Sequence, residues 1–331
     1  MPIGRVGRSA LHEASVAIRL DGMRRSLKLI GLALLAVVAA AALFVISQAR
    51  RTPTARPEYV ALGSSFAAGA GLGRLQDGSP LLCARGVGGY PQQLSRKIQM
   101  STVDMSCGGA FTRHVLRGGQ FFQGPQIRVI NQETRLITIT VGGNDIGYIG
   151  DLSMLAARRT ETLFGWLVRN LWRGPKTLAD RNYPALQGDL ILLLAAIHRQ
   201  APNATVVLAA YPTILPPKGT CPIIGLNNSE ADLMRETANQ LASVTRLAAE
   251  RGGAIFVDMH SLGAGHSACS QAPWTNGWTN GGVAPFHPTS LGARRTAEAI
   301  LRAINQLPTA VSAVDHDDAA RHQARRVRRQ E

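Results

Sequence analysis

The stretch EYVALGSSFAAGAGLG (58–73) decides how this chain is read. Four apolar residues, Tyr59-Val60-Ala61-Leu62, stop at Gly63, and two serines and a run of small residues follow. A short apolar run closed by glycine reads as a buried strand, and small residues after it ordinarily form a loop. A serine at such an exit can also be a nucleophile, provided the rest of the chain supplies a base and oxyanion donors.

The same kind of run recurs along the chain. Strand-like segments fall at 59–62, 102–106, 136–141, 204–209 and 254–257, and helical patterns at 90–100, 183–199, 228–251 and 288–306. Ser229 and Asp232 open the third of these helices in the manner of a capping box. Strands alternating with helices predict an α/β fold, a parallel sheet doubly wound so that helices cover both faces. In such sheets the chemistry lies at the carboxyl ends of the strands. Four groups fall at those ends: Gly63-Ser64-Ser65, Cys107-Gly108-Gly109-Ala110, Gly142-Gly143-Asn144-Asp145 and, before the last helix, Phe286-His287-Pro288-Thr289. A hydroxyl, a glycine amide, an asparagine amide and an imidazole are the inventory of an acyl-transfer site.

The net charge of +15 over 331 residues suggests nucleic acid at first sight. Its placement argues for membrane topology instead. Arg24, Arg25 and Lys28 precede an uninterrupted apolar segment, 29–46, just long enough to cross a bilayer, and Arg50, Arg51 and Arg56 follow it. No nucleic-acid motif accompanies the charge, and no nucleic-acid partner is expected. Ser47-Gln48-Ala49 offers small residues for signal cleavage, and Met23 is a second candidate start. The chain therefore divides into a basic segment (1–28), an anchor or signal core (29–46), a linker (47–57), a catalytic domain (58–310) and a disordered tail (311–331). The domain is exported, either tethered through 29–46 or released by cleavage near Ala49. All four cysteines, Cys83, Cys107, Cys221 and Cys269, follow the apolar segment, which fits two disulfides in an oxidising compartment. Spacing leaves three pairings open.

The four groups, in this order, resemble the SGNH hydrolases, the GDSL-type lipases and esterases. The resemblance runs from about Tyr59 to Asn305. It implies a flavodoxin-like three-layer sandwich with a five-stranded parallel sheet. It makes Ser65 the nucleophile, with Ser64 where the family usually has Asp. It makes Gly109 and Asn144 oxyanion donors beside the Ser65 amide, and His287 the base. CARGVGGYP (83–91), MSCGGA (105–110) and GHSAC (265–269) resemble the secreted actinobacterial branch, which implies the pairings Cys83–Cys107 and Cys221–Cys269. The family usually places an Asp three residues before the catalytic His; here that residue is Ala284. By analogy with relatives that run on a dyad, the Ala284 carbonyl is expected to orient the His287 ring, with Asp258 the other candidate.

Pro288 suits a first helical position, so His287 is expected at a helix N-terminus, where the dipole keeps the ring neutral. His260 and His266 lie near Asp258 but lack a third metal ligand at suitable spacing, and neither metal nor cofactor is expected. The insertion 146–183 repeats apolar residues at helical spacing among arginines, as a helix packed on the sheet or as a flap touching lipid. The reading is an exported, monomeric serine ester hydrolase acting on a lipid or an acylated glycan. A glycan O-deacetylase using the same groups is the alternative among enzymes. The alternative of another class is a membrane-tethered binding protein that has lost turnover.

Overall fold

The computed structural model describes residues 7–49, 51, 53, 56–280, 282 and 284–306. The expected tail, 311–331, lies outside them. One helix, α1 (Gly7–Ala49), contains the whole apolar segment, and Arg25–Ala49 is long and apolar enough to cross a membrane. Ser47, Gln48 and Ala49, expected to open the linker, are its last residues; the Ser47 hydroxyl donates back to the Phe44 carbonyl. A chain without proline or glycine between Leu32 and Pro53 has nothing to stop the helix earlier.

From Tyr59 onward the predicted alternation is present. The strands are β1 (Tyr59–Gly63), β2 (Thr102–Asp104), β3 (Leu136–Thr140), β4 (Thr205–Ala209) and β5 (Ile255–Val257). The helices are α2 (Ser65–Ala68), α3 (Tyr90–Ile98), α4 (Thr112–Arg117), α5 (Tyr148–Ala157), α6 (Leu163–Leu171), α7 (Tyr183–Gln200), α8 (Asn228–Gly252), α9 (Met259–Leu262) and α10 (Ser290–Asn305). All pairings are parallel and the strand order is β2-β1-β3-β4-β5, the flavodoxin-like order.

Strand alternation divides the core in two. Val60, Leu62, Ile137, Ile139, Val206 and Leu208 enter one apolar cluster with α5, α7 and α8. Tyr59, Ala61, Leu136, Val207 and Ala209 point the other way, into a cluster with α3 and α10. Both faces of β1 and β3 are buried throughout, which is why these strands read as continuous apolar runs rather than alternating ones. Each large aliphatic side chain buried this way contributes roughly 1.5–3 kcal/mol.

The caps differ from expectation. The capping box of α8 is Asn227 with Glu230, not Ser229 with Asp232: Asn227 accepts from the Glu230 amide, and the Glu230 carboxylate accepts from the Asn227 amide. Asn227 sits two residues earlier and has at its third helical position a glutamate long enough to reach back to the cap amide, where Ser229 has only the shorter Asp232. Helix α10 starts at Ser290 with Thr289 as its cap, so Pro288 is not in its first turn and His287 is not at its N-terminus. Pro288 instead bridges Thr275.

Candidate active site

Ser65 is the first residue of α2, directly behind the carboxyl end of β1. Gly63 makes the exit possible. Its φ is +131°, and a Cβ there would stand 2.2 Å from the Thr140 carbonyl oxygen of the neighbouring strand. The buried Gln126 side chain clamps Gly63 on both sides, its Oε1 accepting from the Gly63 amide (2.8 Å) and its Nε2 donating to the Gly63 carbonyl (3.0 Å). Ser64 is held by a 2.8 Å hydrogen bond between its hydroxyl and that of Tyr211. As a first helical residue, Ser65 presents an amide with no intrahelical acceptor.

The other loops are tied to this turn. The Cys107 amide donates to the Gly63 carbonyl, and the Cys83–Cys107 disulfide fastens the same segment from the other side. Gly109 follows with φ +75°, a backbone state that glycine adopts without cost, and Gln120 Nε2 donates to the Gly108 carbonyl at 2.7 Å. At the end of β3, Asn144 Nδ2 donates to the Ala110 carbonyl (2.9 Å). That bond uses one of its two amide hydrogens and joins the second loop to the third. The Tyr211 hydroxyl accepts from the Gly143 amide (3.2 Å), so one buried phenol links the serine turn to the asparagine turn. The second disulfide is Cys221–Cys269. Both pairings implied by the resemblance are therefore present.

His287 completes the arrangement. Its Nε2 lies 2.7 Å from Ser65 Oγ. Its Nδ1 lies 2.8 Å from the carbonyl oxygen of Pro285, not that of Ala284. The Ala284 carbonyl bonds the His287 backbone amide instead (3.3 Å). The reason is local. Phe286, fully buried against Trp278, is held at φ +63°, and this left-handed residue turns the Pro285 carbonyl back under the ring. A carbonyl can only accept, so Nδ1 carries the hydrogen and Nε2 is left to accept from the serine hydroxyl. Burial holds His287 below the ordinary histidine value, and the bond to Pro285 opposes that shift more weakly. Desolvation therefore keeps the ring neutral where the helix N-terminus was expected to do so.

Asp258 is elsewhere. It caps α9, accepting from the Ser261 amide (2.9 Å) and hydroxyl (2.7 Å). His260 bonds Asn239 and Thr213, and His266 stacks on Trp274 with ring centroids 4.5 Å apart. Pro285, Gln126 and Tyr211 were not singled out from sequence, and Phe286 entered only as the neighbour of His287. Tyr211 had a signal: a lone tyrosine at the carboxyl end of β4, before a proline. The Pro285 contact is a backbone group and has none.

The geometry is that of acyl transfer, and residues 61–295 match the GDSL-like lipase/acylhydrolase family. The chain belongs to that family. This GDSL-like hydrolase is 31% identical to Lipase 2 of Streptomyces coelicolor over 265 residues, 76% of this chain and 86% of the relative. Lipase 1 of the same organism is 30% identical, over 81% of this chain and 95% of its own. Among solved structures, the extracellular lipase of Streptomyces rimosus superposes with a TM-score of 0.60 at 28% identity, covering 74% of this chain and 98% of that one. Phospholipase A1 of Streptomyces albidoflavus superposes with a TM-score of 0.59 at 26% identity, covering 75% and 100%. The GDSL-like chain is thus a hydrolase of ester bonds, and its N-terminal apolar helix fits a signal peptide.

Proposed function

We propose that this hydrolase cleaves carboxylic esters of lipids by a Ser65–His287 dyad, outside the cytoplasmic membrane. The observation that carries the reading is the relay Ser65 Oγ to His287 Nε2, with Nδ1 held by the Pro285 carbonyl. The Ser65 hydroxyl attacks the ester carbonyl while its proton passes to Nε2. The Ser65 and Gly109 amides and the second Asn144 amide hydrogen donate to the oxyanion. The imidazolium then protonates the departing alcohol. Water, deprotonated by the same nitrogen, releases the acid. The Pro285 carbonyl fixes the tautomer that a triad acid would fix, with a dipole in place of a full charge. Lipid esters are favoured over glycan esters by the relatives named as lipases and a phospholipase A1. Residues 58–310 form the hydrolase domain, which acts tethered by α1 or after cleavage near Ala49. A fluorophosphonate probe tests the reading: the label should map to Ser65 and persist in Ser64→Ala, and labelling of any other residue would refute it.

Two further outcomes follow from the local chemistry. Asp258→Asn should keep turnover within a few-fold of wild type, because asparagine caps a helix about as well as aspartate. Loss of a true triad acid costs about 10⁴-fold, and a loss of that size would make Asp258 the hidden third member. The second outcome is the pH profile. Only the neutral ring can take the serine proton, and burial lowers the pH at which it becomes neutral. kcat/KM on a soluble ester should therefore rise with pH, reach half its plateau below the ordinary histidine value of 6.5, and stay flat above it. A midpoint above that value would contradict a desolvated, carbonyl-held base.

A further inference from the structure

Helix α6, LFGWLVRNL, is apolar almost all round. At 3.6 residues per turn, Gly165, Val168 and the following Trp172 share one side, and Leu163, Phe164, Trp166, Leu167 and Leu171 the other. The first side is the packed one. Val168 is buried, and a Cβ on Gly165 would stand 2.3 Å from the Thr160 carbonyl oxygen. Among the described residues nothing covers the second side: Leu163 is 75% exposed, Leu171 74%, Trp166 53% and Phe164 50%. A surface helix ordinarily sets its one apolar stripe inward and a polar face outward. Here the polar complement is only Arg169 and Asn170.

Two depressions adjoin along this helix. One is an apolar groove of about 270 Å³ walled by Met154, Phe164, Leu167, Val168, Leu171 and Trp172. The other, of about 340 Å³, is lined by Arg158, Arg159 and Arg169 and shares Val168 and Trp172 with the first. Arg158 and Arg159 both pair with the single carboxylate of Glu230, and Arg169 stands 3.8 Å from the exposed Glu161. Arg173, exposed just beyond the helix, adds another cation. Four guanidinium groups thus face two carboxylates, and the cleft keeps positive charge.

We propose that α6 and the arginine cleft beside it are a docking surface for an anionic phospholipid bilayer. The exposed apolar face enters the acyl region and the arginines take lipid phosphates. Nine residues are too few to span a bilayer, so the helix lies in the interface, where the amphipathic Trp166 ring is favoured. A second copy is the poorer occupant, because a two-fold contact through this face would bring two cationic clefts together. The chain also carries a membrane-compatible helix in Arg25–Ala49, which places its substrate-binding domain in a protein already suited to lipid surfaces.

The test uses the full chain incorporated in phosphatidylcholine vesicles, with or without phosphatidylglycerol, whose acyl chains are brominated. Helix α1 contains no tryptophan, so its insertion is silent in this readout. Tryptophan emission should be quenched more strongly when phosphatidylglycerol is present, and Trp166→Phe should remove most of the quenchable part. The pair Arg169→Gln/Arg173→Gln should weaken the quenching, most at low salt. Emission from Trp166 that iodide quenches and bromolipid does not would overturn the proposal. So would a dimer in sedimentation that Leu171→Glu dissociates. Docking needs no turnover, so the same quenching is expected in Ser65→Ala; its failure and a failure of the Ser65–His287 reading are therefore separate results. With wild-type turnover, Leu167→Glu should lower hydrolysis of a vesicle-borne ester about tenfold or more and leave a soluble short ester unchanged.

Discussion

Ser65→Ala is expected to lower kcat on a soluble ester by on the order of 10⁶-fold, and His287→Ala by nearly as much. In the proposed dyad the two groups, joined by a 2.7 Å hydrogen bond, act as one unit, so removing both should cost no more than removing Ser65 alone. What survives should be the catalysis that the oxyanion donors and substrate binding supply without a nucleophile, roughly 10³–10⁴ over water. Ser64→Ala is the control. Its hydroxyl is bonded to Tyr211 and not to His287, so the variant should keep a working dyad. The measurement is turnover of the soluble ester at saturating substrate, with the disulfides intact and folding checked by thermal melting. Losses that multiply in the double variant would mean that Ser65 and His287 act independently, and the dyad would fall.

The degree to which this site was legible follows the kind of atom involved. Side-chain positions at the strand ends could be read, because a doubly wound sheet gathers the carboxyl ends of its strands along one edge. Ser65, Gly109 and Asn144 stand behind β1, β2 and β3, in loops joined by hydrogen bonds. The strands themselves were found to within a residue or two, since strands buried on both faces leave unbroken apolar runs. The orientation of His287 was not legible. Its partner is a main-chain carbonyl whose direction depends on φ at Phe286, and a left-handed phenylalanine leaves no mark in side-chain spacing. Counting three residues back, as the family's Asp suggests, reaches Ala284, whose carbonyl is already taken by the His287 amide. The caps failed for a related reason. Ser229, Asn227 and Thr289 are all acceptable cap types, and only backbone geometry chooses among them. In 146–183 apolar periodicity was visible, but it did not disclose that the segment divides. Helix α5 is buried in the core, whereas α6 leaves most of its large apolar side chains in solvent.

Asn144→Ala should reduce kcat by about 10²–10³-fold with little change in KM, the signature of a donor that acts on the transition state more than on the ground state. The variant can be read this way because the observed role of the Asn144 side chain and the role proposed for it use different amide hydrogens. One amide hydrogen is fixed on the Ala110 carbonyl, which holds the turn after β3 against the segment that carries Gly109. The other is available for the oxyanion. Loss of the first duty alone would slacken the loops. It would not leave the backbone free, because Asp145 still accepts from the Thr112 amide at the start of α4, and Tyr211 still accepts from the Gly143 amide. Asn144→Asp separates the duties further. A carboxylate of the same size cannot donate to either oxygen and sets negative charge beside the developing oxyanion, so its kcat should fall below that of alanine. Asn144→Asp with activity equal to or above Asn144→Ala would mean that the residue supports the turn and does not stabilise the transition state. The two Ser65–His287 variants are the reference for both. Asn144 variants should still be phosphonylated slowly by the fluorophosphonate probe, because the hydrogen bonds from Ser65 through His287 to the Pro285 carbonyl are untouched by the change.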